Sequence, residues 1–207
     1  MSQQFPAMFI ADSLGLDFLN SVATPVDVPI DWIDDGAGLL AWLAQAQLVP
    51  APVLEAMHQR AMPGELDRLA AQARSLREWF RTFVLEHRGR RLDAADLEEL
   101  APLNLLLARD EGFSKIVAHG PEAPTLLNLE YSRRWSSPQS LLLPIGEILA
   151  KLVCEEDFAY VKACEGPTCT LMFADHTRGH ARRWCSMSAC GNRAKQAAHR
   201  TRAKGRN

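Results

Sequence analysis

The chain has 207 residues, 47% hydrophobic and 23% charged, with 23 Lys or Arg against 25 Asp or Glu, the balance of an ordinary globular protein. No apolar run approaches the ~20 residues a membrane span needs, so no membrane partner is expected. Five cysteines and no secretory leader point to a reducing cytoplasm.

The opening ADSLGLDFLNSVA predicts a helix capped by Ser13, with Leu14, Phe18, Leu19 and Val22 apolar. DDGAGLLAWLAQAQLVP predicts a second helix that starts near Asp35 and stops by Pro50, and a short third covers Val53 to Gln59. Leu66, Leu69, Ala73, Leu76, Phe80, Phe83 and His87 then step by three and four, which predicts a long core helix. Asp93 is placed to cap a further helix from Ala94 to Arg109, bent or split by Pro102.

The period changes near residue 113. TLLNLEYS sets Leu127, Leu129 and Tyr131 on one face against Asn128 and Glu130, and FSKIVAHG is its partner across the turn-rich GPEAP, predicting an antiparallel hairpin. PQSLLLPIGEILAKLV returns to helical spacing, and EED at 155–157 marks the expected boundary between a domain at 1–157 and another at 158–207.

In the second domain FAYVKAC and CTLMFAD read as two short strands around a first cysteine loop, and GNRAKQAAHRTRAKG as a helix leaving a second. The cysteines run C-x4-C, fifteen residues, C-x4-C, through Cys164, Cys169, Cys185 and Cys190. Four soft ligands on two short loops suit a tetrahedral zinc ion, in a treble-clef or ribbon-like finger; two disulfides are the alternative. A segment this small hardly builds a hydrophobic core alone, so a metal would replace one. His176 and His180 lie nearby, but four cysteines already complete a tetrahedron. Cys154, left over, reads as a small buried hydrophobe or a redox-sensitive thiol.

Charge is unevenly placed. Residues 174–207 carry nine Lys or Arg and one acid, Asp175, leaving 14 basic against 24 acidic residues elsewhere. A basic module on a metal scaffold points to a polyanion, and DNA is the expected partner. The candidate contacts are Arg178, Arg182, Arg183, Arg193, Lys195, Arg200, Arg202 and Lys204, while Trp184 either stacks on a base or covers the metal site. On the helix, Ala194, Ala197, Ala198 and Thr201 form a narrow face of small residues.

The stretch from Cys164 to Lys195 resembles the CGNR zinc finger, through Cys190, Gly191, Asn192 and Arg193 and through Phe173, Asp175, Arg178, Arg182, Arg183, Trp184, Ser186 and Met187. GLDFLNSVA followed by DWIDDGAGLLAWLAQAQLV resembles the start of the ABATE domain that usually precedes this finger. The departures are Thr177 for the family's usual serine and Ser21 for its usual threonine. The resemblance implies a bacterial stress-related transcription regulator with an N-terminal sensor and a DNA-binding finger. Its effector, a small molecule or stress signal, would be met by polar groups on otherwise core-like helices: Asp17, Asn20, Arg77 and Asn104 are the candidates, though each reads first as a hydrogen-bonded structural residue or helix cap.

Enzyme signatures are missing. The chain has no H-x-E ahead of a P-C-x-x-C, no H-E-x-x-H, no G-x-S-x-G and no phosphate-binding glycine loop. The expectation is therefore an α+β protein, a mainly helical sensor with a small hairpin followed by a zinc finger that delivers a basic helix to DNA. A protein-interaction or RNA-binding finger is the alternative. A homodimer is expected because one finger reads little sequence and regulators often bind paired half-sites.

Overall fold

The computed structural model describes residues 6–24, 29–118 and 126–196. In chain order these form α1 (Leu14–Leu19), β1 (Val22–Ala23), β2 (Ile30–Asp31), α2 (Gly36–Gln45), α3 (Ala51–Arg60), α4 (Glu65–His87), α5 (Ala101–Leu107), β3 (Gly112–Ala118), β4 (Leu127–Arg133), α6 (Leu143–Glu155), β5 (Val161–Ala163) and β6 (Met172–Ala174). The strands make three separate antiparallel pairs, β1–β2, β3–β4 and β5–β6, so the fold is mixed α+β with helices dominating the N-terminal part.

Local chemistry sets the helix boundaries. The Asp35 carboxylate accepts from Gly38 N at 2.7 Å and caps α2. Asp93 and Asp96 form a reciprocal capping box around a 3-10 turn at Ala94–Leu97, and the chain then restarts as α5 with Pro102 in its first turn. Proline therefore splits the predicted helix instead of bending it. The first helix is shorter than its sequence suggests: Ser13 sits at the cap position without a side-chain bond, Leu14 is exposed, and Val22 belongs to β1.

The core gathers on α1, α2, α4 and α6. Leu69, Ala73, Phe80 and Phe83 of α4 are buried as the periodicity requires, with Phe18 edge-on to Trp42 at 5.5 Å between α1 and α2. Gly15 lets α1 cross α6 closely, since a β-carbon there would lie 2.8 Å from Ile148 O. The same hydrophobic cluster continues without a break into Phe158, Val161, Leu171, Met172 and Phe173 and on to Cys185 and Cys190. One core thus underlies both halves of the chain.

The β3–β4 hairpin stands apart from that core. Its register pairs Ser114 with Tyr131, Ile116 with Leu129 and Ala118 with Leu127. Arg133 anchors its base, bonded to Asp110 at 2.7 and 2.6 Å and to Glu147 at 3.0 Å. The turn GPEAP expected to join the strands lies outside the described residues. Cys154 is exposed on α6 and not buried, because it falls outside the stripe that carries Ile145, Ile148, Leu149 and Leu152 inward. No helix among the described residues is long and apolar enough to cross a membrane.

Candidate metal centre

The four paired cysteines converge as their spacing predicts. β5 and β6 pair Val161 with Ala174 and Ala163 with Met172, and the Cys164 N–H donates to Leu171 O at 2.9 Å, so the first loop closes at a hairpin tip. The second pair comes from Cys185 and from a wide helical turn, Met187–Gly191, that runs on as helix through residues 192–196. All four sulfurs lie within 4.8 Å of one another. Cys169 and Cys185 are 3.8 Å apart, Cys185 and Cys190 3.6 Å.

Those spacings fit a metal ion and exclude disulfides. A sulfur–sulfur bond is ~2.05 Å long, whereas all five cysteines are free. A zinc–thiolate bond of ~2.3 Å in a tetrahedron places the sulfurs ~3.8 Å apart, which matches. The loops also prepare for negative sulfur: Cys164 Sγ receives the N–H of Cys185 at 3.3 Å and of Gly166 at 3.5 Å. Gly166 has no room for a side chain, since a β-carbon would sit 2.9 Å from Cys169 Cβ and 3.2 Å from Cys190 Sγ. Without a cation the sulfurs compete for protons. The Cys169 thiol is held down to about 5 chiefly by its hydrogen bond with Cys185. That same contact and burial push Cys185 up, and burial pushes Cys190 up to about 11. A divalent ion would remove the conflict by taking all four as thiolates, leaving a closed site that suits a structural role.

Asp175 organises the loop between the two cysteine pairs. It is fully buried, with Lys162 Nζ at 2.7 Å, Thr177 Oγ1 at 2.6 Å and the amides of Thr177 and Arg182 at 3.1 and 2.9 Å. Burial alone would raise its carboxyl, but Lys162, Thr177 and the Arg182 amide together hold it well below the usual carboxylate range. Thr177 supplies the hydroxyl a serine would, so that departure from the family pattern is chemically neutral. The histidines point elsewhere: His176 bonds Glu156 at 2.7 Å, and His180 stacks on Tyr160 with ring centres 3.4 Å apart. A second group with possible ligand atoms, Glu86, His87 and Glu99, lies at the end of α4, where His87 is held by Phe83 O at 2.8 Å and faces Asp96 at 3.2 Å.

The basic residues divide by what they touch. Arg178, Arg193 and Lys195 are exposed. Arg183 is exposed but paired with Glu165 at 2.7 Å and lies over the Trp184 ring. Arg182, counted in the sequence with the phosphate-facing cations, turns inward. Its guanidinium bonds Trp184 O at 3.0 Å, Cys185 O at 2.6 Å, Ile10 O at 2.9 Å and the Asp12 carboxylate, and covers the Phe173 ring. It therefore clamps the second cysteine loop onto the N-terminal segment. Arg200, Arg202 and Lys204 lie outside the described residues, as do Ala197, Ala198 and Thr201. Trp184 is half-buried against the core, with its ring edge beside Gly191. A mostly apolar cavity of about 140 Å³ opens next to the thiols, lined by Met8, Thr24, Leu171 and Arg193 among others.

Of the candidate effector residues, three are bonded within the fold and one is exposed. Asp17 accepts the amides of Ile10 and Ala11 at 2.9 and 3.0 Å, and burial pushes its carboxyl up to about 6. Arg77 makes a two-pronged bond to Asp31 at 2.8 and 2.7 Å and a third to Ser21 Oγ at 2.9 Å. Ser21 is thus a working acceptor where the family has threonine. Asn20 is fully buried and bonds the backbone of Met172 in both directions, while Asn104 is exposed on α5. Asp31, Asp175 and Gly166 carry local roles that sequence reasoning missed, although Asp31 and Asp175 lie in the two family-like stretches.

Two family models match the chain. Residues 12–156 match ABATE, described as "Putative stress-induced transcription regulator", and residues 160–203 match the CGNR zinc finger. No curated protein matches it.

Proposed function

This chain belongs to the ABATE family and carries a CGNR zinc finger, and on that premise we propose that it is a zinc-dependent transcription regulator that binds DNA through the finger. The observation that carries the reading is the placement of Arg193 and Lys195, exposed on the short helix that leaves the second cysteine loop. Arg178 adds a third exposed cation from the loop after β6. The basic run through Arg200, Arg202 and Lys204 continues the same chain segment. A metal-fixed helix with cations along it can contact phosphates and reach guanine edges in the major groove.

In this reading residues 1–157 act as the sensor and 158–207 as the reader, in the cytoplasm. Coupling needs no separate relay, because Asn20, Asp12 and Ile10 of the sensor bond directly to Met172 and Arg182 of the reader. An effector that shifts the N-terminal segment shifts the cysteine loops with it.

The test is fluorescence anisotropy of the zinc-loaded chain with a labelled mixed-sequence duplex, titrated across salt and repeated after chelation. Binding that falls steeply with salt and disappears with the metal supports the reading. Binding that responds only mildly to salt favours a protein-interaction finger, and preferential competition by single-stranded RNA favours an RNA reader.

A further inference from the structure

The β3–β4 ribbon leaves its most hydrophobic side chains in solvent. Ile116, Leu127, Leu129 and Tyr131 are 72, 74, 69 and 62% exposed. The antiparallel register puts all four on one face, since directly opposed residues of such a pair point the same way. The other face carries the Lys115–Glu130 ion pair at 3.3 Å with Asn128, and is polar where it is exposed. Alternation of this kind normally marks a strand half-buried on its own core; here the apolar half has nothing beneath it among the described residues. A two-stranded ribbon alone is marginal in water.

We infer that this face joins two copies of the chain as a homodimer. Three features favour a second copy. The four side chains expose on the order of 500 Å² of largely apolar surface, so two opposed faces bury about 1,000 Å², the threshold for a specific interface. The face bears no free charge that a two-fold axis would set against itself: its one charged member, Arg133, is turned to Asp110 and Glu147 with its side chain 8% exposed.

Shape is the third feature. The β4 row is Leu127, Leu129 and Tyr131, while the β3 row opposite is Ala118, Ile116 and Ser114. A two-fold axis running along the strands lays the β4 row of each copy on the β3 row of the other. Leu127 then meets Ala118 and Tyr131 meets Ser114, large against small, and two Leu129–Ile116 contacts flank the axis. An isologous contact of this sort closes on itself and makes no filament.

Sedimentation velocity of the full zinc-loaded chain across concentration tests this. The wild type is expected to be a dimer with a dissociation constant on the order of 10 µM or tighter. Leu129→Lys sets two like charges near the axis and is expected to weaken it by roughly 100-fold, with unchanged circular dichroism and zinc content because the position is outside the core. Lys115→Ala, on the opposite face, should leave the dimer intact. A wild type that stays monomeric overturns the inference and leaves the face to a different protein partner. A dimer that survives Leu129→Lys, or that Lys115→Ala disrupts, overturns it too.

Discussion

Asn20 serves Met172 as a neighbouring strand would: its amide donates to the Met172 carbonyl at 2.8 Å and its oxygen accepts the Met172 N–H at 3.0 Å. The Ala174 N–H continues the arrangement by donating to Ala11 O at 2.9 Å. One side chain and one carbonyl of the N-terminal segment thus pair the edge of β6. Asn20→Ala leaves two buried backbone groups unsatisfied and is expected to cost about 2–4 kcal/mol. Asn20→Asp keeps the acceptor but sets a buried carboxylate oxygen against the Met172 carbonyl. Urea denaturation at pH 7 checks both, with a ranking of wild type, then alanine, then aspartate.

Metal removal should reach beyond the finger. Read as an independent module, the finger would unfold on loss of Cys185 and leave the helices alone. The shared core, with Phe158, Leu171 and Phe173 packed beside the helical residues, predicts otherwise. Chelation, or Cys185→Ser, should lower the midpoint of a single thermal transition followed by far-ultraviolet circular dichroism. A helical melt unchanged by chelation would show that the halves fold separately.

Asp17 makes stability depend on pH in an unusual direction. Its folded value, about 6, stands above the ordinary 3.8 because the carboxyl is buried. The protonated acid is therefore favoured in the fold: its contribution is fully present below about pH 4 and is lost as pH rises through about 6. Asp17→Asn retains an oxygen for the Ile10 and Ala11 amides and removes the buried charge. It should exceed the wild type by up to ~2–3 kcal/mol at pH 7 and lose that advantage at pH 4. Asp17→Ala strands both amides and should be destabilised at either pH. Denaturation curves at the two pH values separate these outcomes.

Arg182 and Arg193 should fail differently. Arg182→Ala unclamps Cys185 from Ile10 and Asp12 and should lower thermal stability and zinc retention. Replacing both Arg193 and Lys195 with alanine should leave zinc content and melting unchanged, weaken DNA binding, and reduce the slope of log affinity against log salt by about 2. Equal DNA affinity in that double variant would move the contact surface elsewhere on the chain.

What the sequence disclosed follows the range of the forces involved. The α4 stripe, the Asp93 cap, the hairpin and the cysteine cluster are written in spacings of a few residues, or in a ligand set rare enough to recognise. Asn20 could be read only as an isolated polar group, because its partner lies 152 residues away and a single amide pairing leaves no periodic trace. Arg182 looked like its basic neighbours for the same reason: charge is visible in a sequence, but the carbonyls that draw a guanidinium inward are not. The exposure of Leu127, Leu129 and Tyr131 was hidden by their alternation, which is identical whether the covering surface is the chain's own core or another molecule.

The union of Asn20 with Met172 also bears on how the protein is made. At ~5–20 residues per second, roughly 10–30 s separate the synthesis of Asn20 from that of the strand it completes. Throughout that interval α1 lacks β6 and the Asn20 amide has no partner. The final packing of the N-terminal helices thus awaits the far end of the message, and a metal at the four cysteines would be the last component of a core begun at the other end.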